Sequence, residues 1–261
     1  MQEIDFHCHL DSESFDASRV EAVTECFDAG FSALVTVADP YEKESQSRSL
    51  EALDAHPRVF LMAAAHPHNA DQYSPEVEQR LERMLNHPKT IGLGEAGLDF
   101  HYDLSLRENQ QRVFERQVAL AAERNLPLVI HSRNAEMLVL DTLERLQFPG
   151  HVVFHCFTGG AEAAAEIIRR GYDLSFSGII TFRNAAALRK IARRTPMGRF
   201  FTETDSPYLS PEPFRGRANR PLRVQQVVSS LAQLHEVKAE AVTNAVARRL
   251  EECFHIPRRS T

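Results

Sequence analysis

A short, almost unbroken apolar run alternates with a helix-like segment eight times along this 261-residue chain, and no other feature narrows the fold as much. The first run ends in Asp5-Phe6-His7-Cys8-His9. Arg19–Ala29 then reads as a helix stopped by Gly30, ahead of the β-rich run Ser32–Ala38. Residues 41–56 are polar and helix-like up to Pro57, and the third apolar run, Val59–Ala65, leads into His66-Pro67-His68. Val77, Leu81, Met84 and Leu85 recur at helical spacing before the fourth strand, Thr90–Gly97. Ser105–Arg124 is a long helix, Pro127–Ser132 the fifth strand and Ala135–Leu146 its helix. His151–Phe157, Asp173–Ile180 and Arg199–Thr204 complete the strands, with helices over Ala161–Arg170 and Ala185–Arg194 between them. A loop rich in Pro, Arg and Gly, Ser206–Arg220, precedes helical segments near 221–234 and 238–254.

Strands that stay apolar throughout, each followed by a helix, belong in a parallel sheet covered on both faces. Eight such units without a composition break predict one (β/α)8 TIM-type barrel domain over residues 1–261. An open doubly wound sheet is the other arrangement that fits the alternation. No G-x-G-x-x-G follows the first strand and no G-x-x-x-x-G-K-[ST] occurs, so nothing favours a nucleotide cofactor.

A barrel brings the C-terminal ends of its strands to one face. The residues at those ends are His7 and His9, His66, Glu95, His131, His155 and Asp205. His7 and His9, two apart on a strand, point the same way. Taken singly, each residue has a plainer reading: a satisfied core histidine, a helix cap, a turn aspartate. Six nitrogen and oxygen donors on the ends of five strands are a metal-binding pattern. One cation would take His7, His9 and Asp205, a second would take His131 and His155, and Glu95 would bridge them. Imidazole and carboxylate without thiolate suit Zn²⁺, Mn²⁺ or Mg²⁺. Such a pair activates water at neutral pH and clamps a phosphoryl or carbonyl oxygen, with Asp205 or Glu95 as proton acceptor.

Composition limits the partners. The formal charge of −6 excludes a broad basic coat for nucleic acid, though bound cations and local arginines could supply a positive field. Arg215, Arg217, Arg220 and Arg223 crowd the last loop near Tyr208, a grouping suited to phosphates and stacked bases or simply to a solvated loop. Arg133 is placed to reach a phosphate, and His66 and His68 to touch substrate or order a water. The 4 cysteines include no C-x-x-C pair, which points to reduced thiols in a cytoplasmic setting. No apolar run approaches a membrane span and no basic-then-apolar leader follows Met1, so neither anchor nor secretion signal is expected.

Several stretches resemble the TatD-type metal-dependent deoxyribonucleases of the amidohydrolase-like barrel superfamily, and the likeness runs nearly the whole length. They are Asp5-Phe6-His7-Cys8-His9-Leu10-Asp11, His66-Pro67-His68, Gly94-Glu95-Ala96-Gly97-Leu98-Asp99-Phe100, Leu126–Arg133, His155-Cys156-Phe157-Thr158-Gly159 and Glu203–Leu209. The resemblance implies two divalent ions on His7, His9, Glu95, His131, His155 and Asp205. It also implies hydrolysis of DNA phosphodiesters, usually 3′-to-5′ on single strands, and a monomer is the expected state. Ala64 stands where that pattern has glycine, and Arg220 where it often has an acid, both on the substrate side. Val246 stands where Asn is usual. Two other readings remain: a barrel hydrolase of an ester or amide bond, such as a lactonase or a D-aminoacyl-tRNA deacylase, and an inactive binding module. A carbamylated-lysine bridge is disfavoured because Lys89 lies at the wrong end of strand four.

Overall fold

The computed structural model describes residues 3–256. Its strands are β1 (Ile4–Cys8), β2 (Ala33–Ala38), β3 (Val59–Ala63), β4 (Thr90–Asp99), β5 (Leu128–Arg133), β6 (Val152–Phe154), β7 (Asp173–Phe176) and β8 (Phe200–Thr202). All neighbours are parallel and the order in the 8-stranded sheet is the order of the chain. A doubly wound sheet would reverse that order at a switch point; this one curls until β8 meets β1. The seam is closed by hydrogen bonds in place of a regular ladder. Asp205 N–H donates to His7 O (3.0 Å) and His9 N–H to Ser206 O (2.7 Å). Buried Asp5 accepts the Thr204 N–H (2.8 Å) and hydroxyl (2.6 Å).

The intervening helices are α1 (Arg19–Asp28), α2 (Lys43–Ala55), α3 (Pro75–Leu85), α4 (Arg107–Arg124), α5 (Glu136–Arg145), α6 (Ala161–Arg169), α7 (Ala186–Arg194), α8 (Val224–Leu234) and α9 (Ala239–Phe254). Their apolar stripes face the sheet: Val77, Leu81, Met84 and Leu85 of α3 are all buried. Gly30 and Gly171, at φ 93° and 85°, end α1 and α6 where an L-residue would be strained. On β1, Phe6 stacks on Phe201 (4.1 Å between ring centroids) and edges onto Phe254 of α9 (5.1 Å). That outward packing turns Asp5 and His7 toward the barrel interior. Among the described residues no helix is long and apolar enough to cross a membrane.

Several strands are shorter than the sequence predicts: β3 stops at Ala63 and β8 at Thr202, which leaves Asp205 three residues beyond its strand. β6 stops at Phe154, so His155 lies one residue beyond it. β7 stops at Phe176, and Gly178–Thr181 form a 3-10 turn in place of the expected strand end. The Leu209 carbonyl crosses so close that a Cβ on Gly178 would lie 2.1 Å from it, so only glycine fits at this point. β4 is longer than predicted, pairing with β5 as far as Asp99 and Arg133.

At the N-terminal end of the barrel Asp173, fully buried, opens β7. Its Oδ2 lies 2.9 Å from His151 Nε2 and 2.6 Å from Arg249 Nε of α9, and its Oδ1 lies 3.0 Å from Arg199 Nε. Three cationic or potentially cationic side chains thus tie two strand starts and the last helix to one carboxylate.

Candidate metal centre

Glu95 is the hub at the opposite, C-terminal end. It sits between Gly94 and Gly97, and both glycines are required by the close approach of β4 to β5. A Cβ on Gly94 would lie 2.5 Å from Val129 Cβ, and one on Gly97 would lie 1.9 Å from His131 O. With no side chains there, the backbone drops against β5 and aims the carboxylate of Glu95 into the barrel axis.

One oxygen of Glu95 serves each of two donor sets. Oε1 lies 3.6 Å from His7 Nε2 and 3.4 Å from His9 Nε2. Asp205 Oδ1 completes this set at 3.8 and 3.2 Å from the same two nitrogens. Oε2 lies 2.6 Å from His155 Nε2 and 3.1 Å from His131 Nδ1. His66 Nε2 joins at 3.6 Å from Oε2 and 3.3 Å from His131 Nδ1. Asp205 and Cys156 both adopt left-handed backbone, φ 56° and 43°, conformations that non-glycine residues keep only where the surroundings enforce them.

Donor spacing tests whether a cation fits. Ligands about 2.0–2.1 Å from a tetrahedral Zn²⁺ stand ~3.3–3.4 Å from one another. The first set spans 3.2–3.8 Å, so its atoms stand around a space of that size. Both ring nitrogens of His7 are buried without a hydrogen-bond partner, a costly state for an imidazole unless an electrophile occupies one of them. The first set fits a divalent cation; the second offers the same donor types but is drawn tighter, with His155 Nε2 2.6 Å from Glu95 Oε2.

The electrostatics agree. Burial alone would raise the Glu95 carboxyl, but the charge on His155 and the hydrogen bonds from His131 and His155 override it and hold the group well below its usual range. Asp205 is likewise lowered against its burial by His9 and His7. Burial opposes charging of His155, yet Glu95 and Glu203 push it up to about 10. His9 and His131 rise in the same way, beside Asp11 and Asp205 and beside Asp99 and Glu95. His66 goes the other way: burial and its imidazole neighbours keep it neutral against the pull of Glu95. The centre is an anionic field that protons fill when no cation does.

A cavity of about 720 Å³ opens above these donors, walled by His66, His68, Arg133, Tyr102, Tyr208 and Asp39 among others. Arg133 reaches across it to donate to Thr158 Oγ1 (2.7 Å). Tyr208, 57% exposed, stands edge-on 5.6 Å from the His9 ring. His68 is drawn aside, its Nε2 2.8 Å from Asp99 Oδ2.

The arginines of the last loop lie elsewhere. None of Arg215, Arg217, Arg220 and Arg223 is on the cavity wall. Arg215 stacks over Phe182 (3.9 Å), and Arg220 pairs with Glu25 of α1 (3.3 Å). Arg223 donates to Ser210 Oγ and Ala218 O. Three of the four side chains thus brace the loop and its neighbours, and Arg217 is exposed. The structure gathers the six donors with His66, His68, Arg133 and Tyr208, and leaves the four arginines outside.

Asp99, Glu203, Asp11 and Asp39 also enter the site, and none is singled out by sequence reasoning. The period-two alternation that marks Glu95 and Asp205 reaches Asp99, four residues on, and Glu203, two residues back, so a signal for both was present. Burial lifts Asp39, at the end of the β2 run, to about 7.

A family model described as "TatD related DNase" matches residues 4–255. The chain belongs to the TatD family. Its relatives there include the metal-dependent hydrolase YabD of Bacillus subtilis, 33% identical, with 97% of this chain and 98% of that protein covered. The 3′-5′ ssDNA/RNA exonuclease TatD of Pantoea vagans is 30% identical, with 97% and 99% covered. Among solved structures, the TatD homologue YjjV of Escherichia coli superposes with a TM-score of 0.89 at 27% identity, covering 98% of each chain. TatD membership makes this chain one of a family of metal-dependent hydrolases.

Proposed function

We propose that this TatD-family chain hydrolyses phosphodiester bonds of DNA, removing nucleotides from the 3′ ends of single strands with two divalent cations bound. The observation that carries the reading is the division of Glu95 between two donor sets beneath a cavity of about 720 Å³. The name of the Pantoea vagans relative supports the substrate class. His7, His9 and Asp205 would hold one cation, His131 and His155 the other, and Glu95 both. Zn²⁺, Mn²⁺ and Mg²⁺ are the ions suited to these donors. Such a pair, when bound, supplies activation of water and neutralisation of charge on the phosphoryl group.

The chain's own groups do the rest. Both Glu95 oxygens are committed, so Asp205, ionised and with only Oδ1 turned to His7 and His9, takes the water's proton on Oδ2. Arg133 holds a phosphate oxygen of the chain entering the cavity, and the Tyr208 ring offers a face to its terminal base. Neutral His66, whose Nδ1 accepts the His68 N–H, donates its Nε2–H to the scissile phosphate without adding charge. The bond to the leaving 3′-oxygen breaks in line with the bond formed by water, and that oxygen takes a proton from solvent in the open cavity while Asp205 returns its own to solvent.

Oligonucleotides labelled at the 5′ or the 3′ end, incubated with a panel of metals and a chelator control, test the reading. A ladder shortening from the 3′ end, fastest on single strands and abolished by chelator, is the expected result. Turnover of a lactone, an ester or an aminoacyl-tRNA with no cleavage of DNA would overturn it.

A further inference from the structure

Behind three of the four imidazole donors stands a buried carboxylate that takes no part in the proposed reaction. Asp99 Oδ2 lies 3.0 Å from His131 Nε2, Glu203 Oε1 lies 3.5 Å from His155 Nδ1, and Asp11 Oδ1 lies 3.7 Å from His9 Nδ1. In each case the carboxylate faces the ring nitrogen opposite the one turned toward Glu95 or Asp205: His131 presents Nδ1 inward, His155 and His9 present Nε2. Asp99 and Glu203 are 0% exposed and Asp11 is 8% exposed.

The three carboxylates are held alike, each by its other oxygen. Asp99 Oδ1 accepts the backbone N–H groups of His101 (3.0 Å) and Tyr102 (2.8 Å). Glu203 Oε2 accepts the Ser175 hydroxyl, and Asp11 Oδ2 accepts the Ser45 hydroxyl at 2.6 Å. Glu203 Oε1, Asp11 Oδ1 and His155 Nδ1 have no hydrogen-bond partner in the structure, and all are buried. A buried polar atom left with only an imidazole to face is placed for that imidazole.

We infer that Asp11, Asp99 and Glu203 are positioning residues, each holding a proton on the far nitrogen of its imidazole so that the near nitrogen keeps its lone pair for a cation. The inference rests on reading the six donors as a metal centre, not on the nature of the substrate. It requires two tautomers in one site. His131 carries its proton on Nε2, whereas His155 and His9 carry theirs on Nδ1. A partner of this kind fixes ring orientation and raises ligand basicity, and its loss costs about 10–100-fold in metal affinity.

Glu203 gives the sharpest test, because among the described residues its Oε1 faces His155 at 3.5 Å and has no hydrogen-bond partner of its own. Zinc affinity of wild type, Glu203→Gln and Glu203→Met is measured by chelator competition, without substrate, alongside melting in excess chelator. Gln keeps an acceptor oxygen and should weaken zinc about tenfold, and Met about a hundredfold. Melting of Glu203→Gln in chelator should stay within about 3 °C of wild type. Asp11→Asn, at the other donor set, should weaken zinc in the same direction and covers the case in which Glu203→Met does not fold. Histidine side-chain ¹⁵N spectra of the zinc-loaded wild type should show His131 protonated on Nε2 and His155 on Nδ1. Wild-type zinc affinity in folded Glu203→Gln and Asp11→Asn, or the opposite tautomers, would overturn the proposal. A wild type that binds zinc with these tautomers but leaves DNA intact would sustain it while refuting the nuclease reading.

Discussion

The two ends of the barrel carry the same chemistry and use it in opposite ways. At the base, Asp173, His151 and Cys253 bring a carboxylate, an imidazole and a thiol together closely enough to suit a metal. At the mouth, His7, His9 and Glu95, and again Glu95, His131 and His155, do the same. Only the compensation differs. Asp173 faces Arg199 and Arg249, fixed cations belonging to the chain, and a dication placed there would meet two guanidinium groups. Among the described residues no arginine pairs with Glu95 or Asp205, so balancing charge arrives as protons or metal ions. Donor type therefore says little about whether a cluster is structural or functional. What separates the two is whether the protein brings its own counter-charge.

The largest expected effect lies at the mouth. Asp205→Asn removes a donor and the proposed proton acceptor while leaving packing untouched, so hydrolysis should fall by at least about two orders of magnitude with melting nearly unchanged. Wild-type turnover by this variant at confirmed metal content would remove Asp205 from the reaction. Asp173→Asn is the mirror experiment. Breaking a buried, multiply paired carboxylate costs about 3–5 kcal/mol, a drop of roughly 10 °C in a chain of this size, while turnover per folded molecule should hold. Loss of turnover without loss of stability would dissolve the distinction between the two ends.

Acidity offers a third, smaller lever. An imidazole raised in the folded state contributes stability fully below its ordinary value of about 6.5 and loses it as pH climbs through the folded value. Protein stripped of metal should therefore lose stability steadily from about pH 6.5 toward the His155 value of about 10, with His9 and His131 acting in the same direction. His66, lowered by burial, acts only below that window. With zinc present the trend should reverse at first, since departing protons free the donors. Thermal melts across pH, with and without chelator, would show it; parallel curves would deny the exchange of protons for metal. The smallest effect is expected from Cys253→Ser, which should leave bound zinc per chain unchanged, because burial has pushed that thiol up to about 12 and the arginines guard its neighbour. A fall in zinc count would mean that the base does bind metal.

Much of the mouth was legible in the sequence because a barrel converts strand order into neighbourhood. His7 and His9 are 196 residues or so from Asp205, yet strands one and eight of a closed ring must touch. The arginine loop was not legible, for a physical reason. Crowded guanidinium groups report composition, whereas their direction is settled by acceptors that sequence spacing does not reveal: Glu25 on α1, the ring of Phe182, the Ser210 hydroxyl. Asp99 and Glu203 carry no mark in the sequence that separates a partner of an imidazole from any other buried acid near a strand end. The early stop of β7 goes with a close approach of the Leu209 carbonyl to Gly178, a long-range contact with no local signature.

The seam between β1 and β8 has a consequence for the making of the protein. A ribosome delivers His7 and His9 at the outset and Asp205 only after 196 further residues have been joined. Until then the first donor set lacks a carboxylate, and the clasp of Asp5 on Thr204 that would hold it in place does not exist. A growing chain, or one cut short before β8, therefore cannot assemble that half of the centre. Cation capture by that donor set therefore waits until β8 has been made and has met β1, whereas Glu95, His131 and His155 come together without it.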